Sequence, residues 1–237
     1  MALPKIETPS YTMVLPSREG DIKFRPFTVK EEKILMMAQE TGEQKDMIMG
    51  ICDVIESCTY GQLNPKELPV FDIEYIFLQI RAKSVGEIAK FKVICPDDLK
   101  TYTDVEIDIS KVDVQMDDNH TNKIMIDENR KLGVVLNYPT ITSYDVSKGL
   151  DDVKTQDVFD LIYSCLDHIY EGEKIYPGKD STLEEKKEFF DSLNQKNLVD
   201  IRKFFDTMPS LKAEIEVENP NTKVKSMVTL RGLQDFF

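Results

Sequence analysis

Basic side chains are in short supply in this sequence. The chain carries 30 lysines and arginines against 43 aspartates and glutamates, for a formal net charge of −13. A surface with that balance is repelled by phosphate backbones and anionic lipids, which argues against nucleic-acid or membrane partners. Cysteine is scarce too. Cys52, Cys58, Cys95 and Cys165 form no Cys-x-x-Cys pair, so neither a disulfide framework nor a zinc ribbon is expected. Cys52 and Cys165 fall in apolar stripes of helical period, where a thiol serves as a small hydrophobe, and a reducing cytosol is the natural setting. No apolar run approaches the roughly 20 residues needed to span a bilayer. The opening Met-Ala-Leu-Pro-Lys-Ile-Glu-Thr-Pro lacks the apolar stretch of a signal peptide. Repeats and low-complexity tracts are also missing.

What is present suits an ordinary globular protein. Hydrophobic residues make up 41% and charged residues 31% of 237 positions, enough for one large domain or two small ones without staples. The charge is unevenly spread. Acids and bases balance over residues 1–45. In residues 97–118, however, Asp97, Asp98, Asp104, Glu106, Asp108, Asp113, Asp117 and Asp118 are opposed only by Lys100 and Lys111. That segment reads either as a solvated acidic hairpin or as one face of an adaptor.

Patterning places the elements. Pro4 and Pro9 suggest an extended arm over the first ten residues. Ser10–Leu15 and Asp21–Arg25 flank Pro16-Ser-Arg-Glu-Gly20, which predicts a hairpin ended by Pro26. Thr28-Val-Lys-Glu31 is a capping box opening a helix that Gly42 stops. Met47, Ile48, Ile51, Cys52, Val54, Ile55 and Cys58 form one face of a second helix, from about Glu43 to Cys58. A third runs from about Val70 to Lys83; Ile73, Ile76, Phe77 and Ile80, widened by Tyr75 and Leu78, predict contact on more than one side. Strands follow at Ile88–Cys95 and Thr101–Ile109, then at Lys123–Ile126 and Leu132–Tyr138. Val158, Phe159, Ile162, Cys165, Leu166 and Ile169 predict a helix over Thr155–Tyr170. Ser181-Thr-Leu-Glu184 reads as a second capping box before Leu183–Asn194, and Leu198–Met208 as a last helix. Leu211–Glu218 and Lys223–Leu230 form a terminal hairpin around Asn219-Pro-Asn-Thr222. The expectation is an α+β protein in three segments: 1–87 (hairpin and three helices), 88–140 (acidic antiparallel β region) and 141–237 (helices and terminal hairpin).

A search for chemistry yields little. His120 lies in a polar link and His168 in the expected helix, with no nucleophile motif beside either. Gly172-Glu-Lys-Ile-Tyr-Pro-Gly178-Lys179 has one residue too many for a phosphate loop, and Asp180 stands where Ser or Thr would bind Mg²⁺; it reads as a loop between helices. Asp113–His120 lacks the glycine and closing glutamate of a calcium loop. No catalytic residue, cofactor or metal is expected.

Three stretches are more distinctive. They are Phe24-Arg-Pro-Phe-Thr-Val-Lys-Glu-Glu-Lys-Ile-Leu-Met-Met-Ala38; Leu68-Pro-Val-Phe-Asp-Ile-Glu-Tyr-Ile-Phe-Leu-Gln-Ile-Arg-Ala-Lys-Ser-Val-Gly-Glu87; and Phe204-Phe-Asp-Thr-Met-Pro209 through Asn219-Pro-Asn-Thr222 to Leu230-Arg-Gly-Leu-Gln-Asp-Phe-Phe237. In order, they resemble the baseplate hub subunits and hub-assembly proteins of T4-like bacteriophages. The resemblance covers most of the chain and is weaker over about 97–200. It implies a non-enzymatic protein made in the host cytoplasm that helps build the hub of the tail baseplate, as a subunit or as an assembly chaperone. Its partners would be other hub proteins, in a complex where it could itself oligomerise. Arg25, Phe27, Phe71, Tyr75, Arg231, Phe236 and Phe237 are the candidate partner-binding residues in these stretches. The two terminal phenylalanines must either fold back or dock on something, since exposed rings leave much apolar surface in water. Two other classes remain open: a hub-associated cell-wall hydrolase, which would need two converging carboxylates or a metal trio, and an acidic decoy for a host nucleic-acid-binding protein, which would need an exposed, ordered row of carboxylates, for which the 97–118 hairpin is the candidate.

Overall fold

A computed structural model of the protein describes residues 6–143 and 154–236, with the backbone alone for Gln234 and Phe236. In chain order the elements are β1 (Tyr11–Val14), β2 (Asp21–Phe24), α1 (Val29–Thr41), α2 (Gln44–Cys58), α3 (Val70–Ser84), β3 (Ile88–Ile94), β4 (Tyr102–Asp108), β5 (Asp113–Gln115), β6 (Lys123–Asp127), β7 (Leu132–Leu136), α4 (Thr155–Ser164), β8 (Leu166–Glu171), β9 (Lys174–Pro177), α5 (Leu183–Asp191), α6 (Gln195–Thr207), β10 (Ser210–Glu218) and β11 (Lys225–Arg231). The fold is α+β with antiparallel sheets, as the patterning implied. It divides into two compact units: residues 1–115 with 210–237, and residues 116–209. This division cuts through the middle of the three sequence segments and gives the last hairpin to the first unit.

In the first unit, β1 and β2 pair as a hairpin from Tyr11↔Phe24 to Val14↔Asp21. Half of the expected capping box is clear: the Thr28 N–H donates to the Glu31 carboxylate at 2.8 Å, and the Thr28 hydroxyl donates to the same oxygen at 2.7 Å. The broad stripe of α3 is buried on several sides, through Phe71, Ile73, Ile76, Phe77, Leu78, Ile80 and Ala82. Strands β3 and β4 pair from Ile88↔Asp108 to Ile94↔Tyr102. Strand β10 lies between β11 and β5, with Ser210 opposite Gln115. Leu78, Ala82, Ala89, Ile109, Val112, Leu211 and Leu230 form a core from α3, both hairpins and the turn at Ile109–Lys111. The tips of the two hairpins are tied together. Asn219 donates to the Asp97 carboxylate at 2.9 Å, and the Asn221 amide donates to the Thr101 hydroxyl at 3.0 Å.

The second unit holds a four-stranded antiparallel sheet, β6-β7-β8-β9, together with helices α4, α5 and α6. Ile124, Val134, Leu136, Ile162, Tyr163, Leu166, Phe190, Ile201 and Phe204 fill its core. Here two sequence expectations fail. The helix predicted over Thr155–Tyr170 ends at Ser164, and Leu166–Glu171 is a strand paired with both β7 and β9. His168 is therefore on a strand, opposite Val135 and Pro177. Helical spacing through Cys165, Leu166 and Ile169 was coincidental; neighbouring strands on both sides override a local helical period. The segment 172–178 is likewise not a loop between helices. Gly172 and Glu173 form a two-residue hairpin turn, with Glu171 opposite Lys174, and Gly172 has φ +60°. The second cap sits one residue later than expected: the Thr182 N–H donates to Glu185 at 2.7 Å, and the Glu185 N–H donates to the Thr182 hydroxyl at 3.2 Å.

Gly178 is needed for a different reason. A Cβ at this position would stand 2.2 Å from the Leu166 carbonyl oxygen and 3.0 Å from that of Asp167. Both obstacles are backbone, which cannot rotate aside as a side-chain end can. Gly178→Ala is expected to destabilise the protein by about 1–3 kcal/mol, as overpacking does, and a urea melt would measure it; a loss below about 0.5 kcal/mol would show that the turn can lift off β8 at little cost.

Candidate functional site

The residues nominated from the sequence separate once they are placed. Arg25 follows β2 and turns inward. Its guanidinium donates to Glu31 at 2.9 and 3.3 Å, to the Ser57 hydroxyl at 3.0 Å and to the Pro26 carbonyl at 3.0 Å. Glu31 is only 1% exposed. Burial alone would raise its pKa, but hydrogen bonds from Arg25, Thr28 and Ser57 outweigh burial and hold the carboxyl far below the usual carboxylate range. Arg25 is thus committed to a buried pair. Phe71 is buried in the core. Phe27 is half-buried, with its N–H donating to the Ser84 hydroxyl at 2.9 Å, and Tyr75 packs against the α3 core cluster. Arg231 is exposed at the end of β11. The ring of Phe236 and all of Phe237 lie outside the described residues.

The apolar surface left in water lies elsewhere. The outer face of the β3–β4 hairpin presents Ile88 at one end and Ile94 with Tyr102, its cross-strand partner, at the other. Between them, Lys90 pairs with Glu106 at 2.5 Å and Lys92 approaches Asp104 at 4.0 Å. Leu99, at the turn, is 74% exposed. Such a face combines exposed apolar ends with lysines and acids that face each other within the hairpin, closely for Lys90–Glu106 and loosely for Lys92–Asp104. Sequence reading missed it because it assigned only one apolar face to the hairpin; the signal was Ile88 and Ile94 on the opposite register to Ala89, Phe91 and Val93. On α1, Val29, Met36 and Met37 are also exposed.

The acidic segment proves largely self-occupied. Asp104 and Glu106 face lysines of β3, and Asp108 pairs with Lys111 at 2.8 Å. Asp97 accepts hydrogen bonds from Asn219 and Thr222, which hold its carboxyl below its ordinary pKa. Hydrogen bonds from Thr101 and Lys100 hold Asp98 lower still.

Several groups capable of chemistry are likewise engaged. A cleft of about 740 Å³ in the second unit is lined by Ile126, Leu132, Ile169 and Phe189, with Arg130, Glu171 and Glu185 among its polar residues. Glu171 accepts two hydrogen bonds from Arg130, at 2.7 and 3.0 Å, and Glu185 is occupied in its cap, which lowers its pKa. His168 meets Asp167 at 2.6 Å, and Asn137 also donates to that carboxylate. His120 lies between the Thr207 and Tyr138 hydroxyls, at 2.9 and 3.1 Å. With the Thr207 hydroxyl donating to the Lys203 carbonyl, a neutral His120 is best matched with Nδ1 carrying the proton towards Thr207. Burial lowers the pKa of this imidazole. All four cysteines are buried, and burial pushes the thiols of Cys52, Cys58 and Cys165 up to about 11, where they are poor nucleophiles. Among the described residues, no group of three histidines, cysteines or acids could hold a metal ion, and no helix is long and apolar enough to cross a membrane.

A family model described as T4 bacteriophage base plate protein matches residues 8–237. No curated protein matches the chain. No solved structure does either.

Proposed function

The chain belongs to the family of T4 bacteriophage base plate proteins, and on that premise we propose that it is a hub subunit or hub-assembly chaperone acting by surface contact, not by catalysis. Membership of this family places it among proteins of the tail baseplate, which work in contact with other baseplate proteins. The hub assignment rests on the three sequence stretches that resemble hub and hub-assembly proteins. The contact mechanism is supported chiefly by the β3–β4 face, where Ile88, Ile94 and Tyr102 stay exposed around two internally compensated ion pairs. A chain made in the host cytoplasm would carry this face to its hub partners, with or without copies of itself in the same complex.

The other two classes have less support. A glycoside hydrolase needs carboxylates free to act on a bound sugar, yet Glu171 and Glu185 in the cleft are held by Arg130 and by a helix cap. A nucleic-acid mimic needs an unbroken exposed row of negative charge, and although Asp104 and Glu106 are exposed, Lys92 and Lys90 on the neighbouring strand lie beside them and interrupt it.

Co-expression with the other hub proteins, followed by mass spectrometry of complexes and of purified particles, tests the proposal. The protein should co-purify with hub precursors. Ile94→Glu combined with Tyr102→Glu should weaken that association about tenfold or more, as loss of a central aromatic contact does, without changing the circular dichroism spectrum. Presence in particles identifies a subunit, and presence only in precursors identifies a chaperone. Normal tail maturation after deletion of the gene would overturn both.

A further inference from the structure

We infer that α1 carries a self-complementary outer face through which two copies of this chain pair, helix against antiparallel helix. The inference is independent of the hub assignment and of the β3–β4 face. It begins with the two sides of α1. The inner side is already taken. Glu31 and Ala38 are buried, and α2 crosses close to it: a Cβ on Gly50 would stand 3.2 Å from the Ala38 methyl and 3.6 Å from Ile34 Cγ2. At about 100° per residue, Val29, Lys33, Met36, Met37 and Glu40 fall together on the side turned away from Glu31 and Ala38. All five are exposed, Met36 by 56% and Met37 by 67%. Packing within the chain gives these methionines no task. Their unbranched thioether side chains can mould to a facing surface.

The charges beside the methionines indicate what covers them. Lys33 lies one turn before the pair and Glu40 one turn after it, about 10 Å apart along the axis. Among the described residues, neither takes part in an ion pair. A second copy of the helix can be turned end for end about an axis between Met36 and Met37. Met36 of each copy then faces Met37 of the other, and Lys33 of each faces Glu40 of the other. A parallel copy would instead set Lys33 against Lys33 and Glu40 against Glu40. The antiparallel arrangement has two-fold symmetry, so one partner uses up the face and the contact closes at a dimer. The net charge of −13 opposes self-association over most of the surface. On the exposed part of α1, however, Lys30 and Lys33 balance Glu32 and Glu40. The contact is small, since it is made by one helix of 13 residues. It falls well short of the roughly 1,600 Å² of a standard interface, so a dissociation constant of about 10–100 µM is expected.

Sedimentation equilibrium of the intact chain tests this. The wild-type protein should pass from monomer to dimer across that range of concentration. Met36→Glu combined with Met37→Glu should remain monomeric throughout. Lys33→Glu alone sets acid against acid at both ends of the contact, and Glu40→Lys alone sets base against base; each should weaken pairing about tenfold. Together they exchange the two charges and should restore the wild-type constant, a rescue that a merely structural effect would not give. All these positions are exposed, and circular dichroism checks that each variant is folded. Ile94→Glu with Tyr102→Glu should leave the dimer intact, which separates this result from hub co-purification. A wild-type chain that stays monomeric would overturn the inference. So would a dimer indifferent to the methionines, or a double charge variant no stronger than the single ones. A monomer that loses a hub protein when Met36 and Met37 are replaced would overturn it in favour of a different partner for this face.

Discussion

Arg25→Ala is expected to destabilise the first compact unit by about 3–5 kcal/mol at pH 7, the cost of leaving a buried charge without its partner. Glu31 is 1% exposed and relies on Arg25 for two of its hydrogen bonds; Thr28 and Ser57 remain as donors but carry no positive charge. The deficit should depend on pH in a defined direction. In the native protein Glu31 is held below its ordinary pKa, so its contribution to stability is fully present above about pH 4.3 and is lost as pH falls towards the folded value. Without the guanidinium, burial dominates and the carboxyl group can relieve its position by taking up a proton. The difference between wild type and variant should therefore shrink between pH 7 and pH 4. Arg25→Met combined with Glu31→Met should recover most of the loss, since an apolar pair of similar volume needs no compensating charge. Urea melts at both pH values measure all three effects; a single-variant cost below about 1 kcal/mol would show that water reaches Glu31.

In the second unit, the largest effect should follow from Phe204→Ala, about 3–5 kcal/mol. Phe204 is 2% exposed, and its ring lies 5.2 Å from that of His120, 5.8 Å from Tyr138 and 5.0 Å from Phe205. Truncation leaves a cavity beside a polar imidazole, so water is expected to enter where an apolar void would stay dry. The second readout is the titration of His120. Burial is the main force keeping its pKa below the ordinary value, so hydration of the cavity should raise it. NMR titration of the imidazole in the folded variant detects that shift, and an unmoved pKa would mean that Tyr138 or Phe205 closes over the gap.

The local parts of this fold were readable because the causes are local. Thr28 and Glu31 mark a helix start within one turn, and alternating Val105, Ile107 and Asp104, Glu106 define the faces of β4. Pairings over long distances left no mark. Nothing near Asp113–Gln115 says that it will lie beside Ser210–Lys212. Nothing near Leu166 announces that strands will flank it on both sides, and its helical spacing pointed the other way. The hairpin after it was legible in principle: Gly172-Glu173 lies between Asp-His-Ile-Tyr-Glu and Lys-Ile-Tyr-Pro, an alternating pattern with a turn residue between. For the nominated interaction residues, the sequence pattern carried no information on the direction of their side chains. Arg25 and Phe71 belong to the interior, because a buried glutamate needs the first and the core of α3 takes the second. The exposed hairpin face depends on which side of β3 is covered, a fact of tertiary packing alone.

The pairing of Gln115 with Ser210 has a consequence for synthesis on the ribosome. The three-stranded sheet of the first unit needs β10 and β11, which are translated only after every residue of the second unit has been made. The earlier helices must wait, with β5 lacking its neighbour, while residues 116–209 emerge. Closing a long flexible loop carries an entropic penalty that grows with its length. If the inserted unit folds first with its ends close together, it shortens the effective loop and lowers that penalty. The nascent chain would then mature from the middle outwards, with the terminal hairpin setting the moment at which the first unit becomes whole.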